Sequence, residues 1–292
     1  MTLEGMTLEG MTLEGMTLDP RLRLGFIGAG NMARSLIGGL LAAGHPGDRI
    51  IAADPDPGQL AAAAALGAIA TTPANAAVAD AADIIVLAIK PQVMSAVCRA
   101  LRPHLSADRH LLISIAAGIR LQAMDRWLGA RPIVRCMPNT PALLRAGITA
   151  LAGNRQVAPG QLATAAAVLG AVGKTAVLDS EDQLDAVTAI SGSGPAYFFL
   201  FTEALIDAGI GQGLAPELAR ALAVETALGA ARMALTTSSS LPDMRRSVTS
   251  PNGTTEAAIA VFEAGGLRPL VERAANAARD RSIALADELG TD

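Results

Sequence analysis

The chain of 292 residues is long enough for two domains or one large one. Hydrophobic residues make up 51% and aromatics only 2%, so a core can be buried, and the abundance of alanine points to closely packed helices. The formal net charge of −4 argues against nucleic-acid or anionic-membrane binding, and no apolar run reaches the ~18 residues that a membrane span requires.

The chain opens on MTLEG three times over and then MTLDP, a five-residue period that suits neither helix nor strand. With no basic or apolar leader pattern, residues 1–18 do not read as a signal peptide. They are expected to be a disordered extension or a repeated start, with a partner-docking tag as the alternative. Setting them aside takes three Glu from the 27 acidic residues and leaves 24 against 23 basic ones.

From Arg21 to about Asp179, short apolar runs alternate with helical stretches. Leu22–Ile27 reads as a strand, Asn31–Ala43 as a helix, Arg49–Ala53 as a second strand, and the alanine-rich Gln59–Leu66 follows it. Ile84–Ile89, Leu111–Ile115 and Ile133–Cys136 are bare aliphatic runs, as expected of strands covered on both faces, and Val172–Leu178 reads as a last strand. This alternation predicts an α/β fold with a doubly wound, mostly parallel sheet. After about Ser180 the strand pattern stops. Glu181–Gly211, Pro216–Leu235, Asn252–Glu263 and Leu267–Leu289 all read as helices. The expected organisation is an extension (1–18), an α/β domain (19–180) and an all-helical domain (181–292). Tyr197, Phe198, Phe199 and Phe201 go round a full turn of the helix over Ala196–Ile210, which a small domain cannot bury alone. A second copy of the chain is the expected cover.

Gly25–Ala33, GFIGAGNMA, follows the first strand and opens a helix. Gly28 permits the tight turn, Gly30 lets the backbone approach a pyrophosphate, and Ala33 takes the third glycine's place in this Rossmann-type fingerprint. Asp54 ends the second strand, where a carboxylate accepts both hydroxyls of the adenosine ribose; a turn or cap role in Asp-Pro-Asp-Pro-Gly is the alternative. Lys90 follows the Ile84–Ile89 strand, on the side where such sheets bind ligands.

Absences narrow the chemistry. His45, His104 and His110 read as surface or loop residues with structural roles. Cys98 and Cys136 lack metal-ligand spacing and read as reduced thiols of a cytoplasmic protein; no metal site is expected. The helix at Glu181–Gly211 carries no lysine to serve as the general acid that a hydroxyacid dehydrogenase needs. A protonated imine needs less: it is already electrophilic, so hydroxyls and backbone amides suffice. Ser191–Pro195, SGSGP, reads as a packing or kink element rather than a catalytic one. Ser250–Glu256, SPNGTTE, is a turn feeding a helix whose free N–H groups could hold a small carboxylate, an ordinary helix cap being the equal alternative.

Together with AIKP at Ala88–Pro91, SIAAG at Ser114–Gly118 and MPNTPA at Met137–Ala142, these segments resemble the pyrroline-5-carboxylate reductase family, from about Leu22 to Leu285. The resemblance implies NADH or NADPH bound by Ile27, Gly28, Ala29, Gly30, Asn31, Met32, Asp54, Asn75, Ala88, Ile89, Lys90, Pro91, Ala116, Ala117 and Gly118. It also implies a substrate carboxylate held near Val248, Asn252, Gly253 and Thr254, with Thr255 bonded to the ring nitrogen as the catalytic hydroxyl and Glu181 close to the substrate. Hydride would pass to the imine carbon and yield L-proline, the last step of proline biosynthesis, in a homodimer or a larger homo-oligomer up to a decamer. Two features stand apart from many relatives. Asn252 replaces a turn glycine, which left-handed backbone tolerates, and Asp54 favours NADH over NADPH. The competing readings are a dehydrogenase acting on a hydroxyacid or another imine, and a non-enzymatic NAD(H) sensor on the same scaffold.

Overall fold

The computed structural model describes residues 18–290; the repeat of residues 1–17 lies outside them. Eight strands form one sheet: β1 (Leu24–Ile27), β2 (Ile50–Ala53), β3 (Ala70–Thr72), β4 (Ile84–Leu87), β5 (Leu111–Ser114), β6 (Ile133–Met137), β7 (Gly147–Gly153) and β8 (Gly173–Val177). Their order is β3-β2-β1-β4-β5-β6-β7-β8. All neighbours pair in parallel except β6 and β7, which run antiparallel.

The aliphatic runs form strands because both sheet faces are covered. Leu24, Phe26, Ile84 and Val86 point into one apolar layer, and Ile27, Ile85 and Leu87 into the other. Helices α1 (Asn31–Ala42), α2 (Pro57–Ala64) and α6 (Pro159–Gly170) supply the first layer; α3 (Asn75–Ala81), α4 (Pro91–Leu101) and α5 (Leu121–Leu128) supply the second. The strand order reverses between β1 and β4, leaving the crevice above their carboxyl ends that such sheets use for ligands.

Several elements differ from the sequence reading. Strand β7 lacked a signal because Gly147–Gly153 is two glycines, two alanines and one threonine with only two larger aliphatics, so its tertiary setting makes it a strand. The single helix expected over Glu181–Gly211 is three pieces: α7 (Gln183–Val187), a π-helical turn (Thr188–Gly192) and α8 (Gly194–Gly211). The break precedes Pro195, which has no N–H to give the helix. A side chain on Gly192 would meet Met137 Cε at 2.6 Å, so SGSGP does pack closely. His45 and His110 lie in loops, as read, but are buried, at 7% and 2% exposure. The His110 ring bridges the backbone of Ser106 and Ala79, and burial depresses the pKa of His45.

By packing, the described residues up to Ser193 and from Ala278 onward form one compact unit, and Gly194–Ala277 a second. The reason is a buried polar cluster. Asp185, 3% exposed, accepts Ser282 Oγ at 2.7 Å and Arg120 Nη2 at 3.3 Å, while Leu184 packs on Ala150 and Ala152 of β7. The second unit, Gly194–Ala277, contains α8, α9 (Pro216–Thr236), α10 (Leu241–Ser247), α11 (Thr254–Ala264) and the start of α12 (Leu267–Gly290). Of its described residues only Gly194 and Ala219 are buried. Phe198, Phe199 and Leu200 are each about 70% exposed, and a groove of about 590 Å³ runs between α8 and α9 along Phe198, Phe199, Ile206 and Val224. A helical unit this short of core needs an apolar partner surface.

Candidate active site

The loop after β1 is set by one glycine and left open by another. Gly28 has φ +95°, its N–H donates to Ala53 O at 2.7 Å, and a Cβ there would meet Ala88 O at 2.4 Å. Only glycine fits. At Gly30, the N-cap of α1, an added Cβ would meet nothing within 4 Å, so protein packing does not explain this glycine. Open space in front of unfilled helix N–H groups suits a pyrophosphate. Ala33 is buried at 1%, in the position where the fingerprint needs a small side chain for helix–sheet packing.

Asp54 does bracket this loop. Its Oδ2 accepts the Ala29 N–H at 2.8 Å and its Oδ1 the Asp56 N–H at 2.9 Å. The carboxylate is thus anchored at the end of β2 with lone pairs to spare for ribose hydroxyls. Both sequence readings of Asp54, turn residue and ribose ligand, are compatible with this geometry. Ala88 and Ile89 follow β4, Lys90 caps α4 and stays exposed, and Pro91 is its first residue. Ala116, Ala117 and Gly118 follow β5; Gly118 has φ +73° and packs under Leu285 and Leu289. The sheet therefore brings Ile27–Met32, Asp54, Ala88–Pro91 and Ala116–Gly118 to one edge, with Asn75 opening α3 beyond β3. These residues fit a nicotinamide dinucleotide, whose chemistry is hydride transfer.

Glu181 is more tightly committed than the sequence suggested. Its Oε1 accepts Arg135 Nη1 at 2.7 Å and the Leu121 N–H at 2.8 Å, and Arg135 is only 3% exposed. Removing one partner of a buried pair leaves the other uncompensated. Glu181→Ala is expected to lower unfolding free energy by about 3 kcal/mol in urea titrations. A change below ~0.5 kcal/mol, the range of ordinary surface substitutions, would mean that Arg135 is satisfied without it.

In the second unit, Asn252 does take left-handed backbone, with φ +57°. Its N–H donates to Glu256 Oε2 at 2.7 Å, and the Gly253 N–H donates to Ser250 O at 3.0 Å. Gly253 is the N-cap of α11 and offers no capping side chain, so the first-turn N–H groups at Thr254 and Thr255 face outward. Thr254, Thr255 and Val248 are exposed. Glu256, in the first turn of α11, closes the turn by accepting the Asn252 N–H.

Two partners were missed by sequence reasoning. Arg34 donates to Ala29 O at 2.8 Å, and Gln59 meets that same guanidinium. The only signal was position: Arg34 directly follows the fingerprint's Ala33. The thiols are inert. Burial pushes Cys98 up to about 12, and Cys136 is also raised, its Sγ donating to Ser114 O at 3.1 Å. Among the described residues no group of His, Cys, Asp or Glu could hold a metal ion, and no helix is long and apolar enough to cross a membrane.

Family models match in both parts: NADP oxidoreductase coenzyme F420-dependent over residues 23–118, and pyrroline-5-carboxylate reductase dimerisation over 181–285. The chain is 56% identical to the pyrroline-5-carboxylate reductase of Pseudomonas aeruginosa over 270 residues, 92% of this chain and 98% of that one. A solved pyrroline-5-carboxylate reductase from Coxiella burnetii superposes with a TM-score of 0.87 at 43% identity, covering 91% of this chain and 98% of that one. The Plasmodium falciparum pyrroline carboxylate reductase, solved with NADP bound, gives 0.81 at 29% identity, over 91% of this chain and 99% of that one. The chain therefore belongs to the pyrroline-5-carboxylate reductase family.

Proposed function

We propose that the chain reduces 1-pyrroline-5-carboxylate to L-proline with a nicotinamide dinucleotide. The observation that supports this best is the Ser250–Thr255 turn, whose left-handed Asn252 and side-chain-free Gly253 cap leave the α11 N–H groups open to a small carboxylate. The bound dinucleotide supplies the hydride, which goes to the carbon of the ring C=N. Gly28–Met32 hold the pyrophosphate, and Ala88–Pro91, Ala116–Gly118 and Asn75 line the rest of the dinucleotide. Asn252, Gly253 and Thr254 hold the substrate carboxylate and Val248 flanks it. Thr255 hydrogen-bonds the ring nitrogen through its hydroxyl, accepting from the N–H of the protonated imine. Glu181, tied to Arg135, holds the start of α5 at the Leu121 N–H.

NADH oxidation on adding 1-pyrroline-5-carboxylate, run beside 1-piperideine carboxylates, tests this reading. No oxidation with the five-membered imine, or preference for the six-membered ones, would overturn it.

The assembly is a homodimer built on the apolar helices, open to higher order up to a decamer, and the setting is cytoplasmic. NADH is favoured over NADPH because Asp54 would face the 2′-phosphate with like charge. Asp54→Ser is expected to move the NADH/NADPH ratio of kcat/KM toward NADPH by roughly tenfold or more, about 1.4 kcal/mol. A wild type that already works better with NADPH would refute the preference.

A further inference from the structure

No arginine lies between Ala52 and Ala70 to offset Asp54, but the fold brings one from the neighbouring helix. Arg34, in the first turn of α1, donates Nη1 to Ala29 O at 2.8 Å and to Gln59 Oε1, and Nη2 to Asn31 Oδ1 at 2.6 Å. Asp54 takes the N–H of the same Ala29. A carboxylate and a guanidinium thus grip the two backbone groups of one residue in the dinucleotide loop. All three acceptors of Arg34 are neutral amide oxygens, and among the described residues no carboxylate pairs with it. Arg34 and Arg145 both line a cavity of about 290 Å³ along α1.

A phosphate dianion beside Asp54 would compete well for such a cation, because it adds opposite charge and bidentate geometry that neutral amide oxygens lack. We propose that Arg34 is the counterweight to Asp54 in coenzyme choice. Its guanidinium leaves Gln59 and Asn31 and pairs with the 2′-phosphate of NADPH, so the chain accepts both dinucleotides while preferring NADH. This rests on the dinucleotide reading of the loop.

The test uses ADP-ribose and its 2′-phosphate in calorimetry on the full chain. These fragments carry no nicotinamide and report binding without turnover. Arg34→Gln keeps a donor for Ala29 O but loses the charge. It is expected to lower the ratio of 2′-phosphate to plain affinity at least tenfold, with Arg34→Lys restoring most of it. The wild-type ratio should fall as salt rises, and the glutamine variant's should stay flat. A ratio within threefold of wild type in Arg34→Gln overturns the proposal and leaves Arg34 a loop latch only. A wild type that binds plain ADP-ribose but no 2′-phosphate overturns it as well. Binding of neither fragment would instead sink the dinucleotide reading itself.

Discussion

Replacing Phe199 by glutamate is expected to abolish assembly and activity together. Phe199 is 71% exposed on α8, between Phe198 at 73% and Leu200 at 68%, in a unit with almost no core of its own. Burying one such side chain is worth about 1.5–3 kcal/mol, and an unpaired charge in its place adds a desolvation penalty of several more. In an isologous interface the change counts twice, since both copies present the same helix. A combined loss of at least ~5 kcal/mol corresponds to a weakening of more than a thousandfold, at ~1.4 kcal/mol per factor of ten. Sedimentation velocity at the assay concentration should show monomer or aggregate, with turnover lost in parallel. Phe199→Leu, which keeps an apolar contact, should retain dimer. A fully active monomer, wild type or variant, would end the idea that the second unit depends on a partner.

The parts of this molecule written in the local pattern were the parts legible in the sequence. Strands β1, β4, β5 and β6 announced themselves because both faces are buried and their residues are mostly apolar. The turn at Gly28 was legible because φ +95° and the Ala88 carbonyl admit no side chain. Asn252 was legible for the same kind of reason. What stayed hidden depends on contacts distant in sequence. Strand β7 is a strand because β6 and β8 flank it. Ser282, far along the chain, reaches back to Asp185, a contact that ties the end of α12 to α7 and that no local pattern announces. The Arg135–Glu181 pair joins a strand to a loop forty-six residues later, which no periodicity reveals. Arg34 was overlooked because coenzyme selectivity was sought along β2, whereas the cation comes from α1, beside it in space.

Thr255→Ala is expected to slow the reaction by roughly ten- to a thousandfold in kcat/KM, without a comparable loss of stability. Thr255 lies in the first turn of α11 and is exposed, so deleting its hydroxyl should cost the fold no more than ~0.5 kcal/mol. Its role is to orient the ring nitrogen through one hydrogen bond. A positioned hydroxyl contributes binding and geometry rather than a titrating proton, which limits the effect to ~1.4–4 kcal/mol of transition-state stabilisation. Thr255→Ser restores the oxygen and should recover most of the rate. The pH profile of Thr255→Ala should match that of wild type, since no ionising group is removed. A loss beyond ~10⁵-fold with a displaced pH limb would mark Thr255 as part of an obligatory proton path. Unchanged kcat/KM would take Thr255 out of the site and leave the α11 backbone amides to hold the substrate alone.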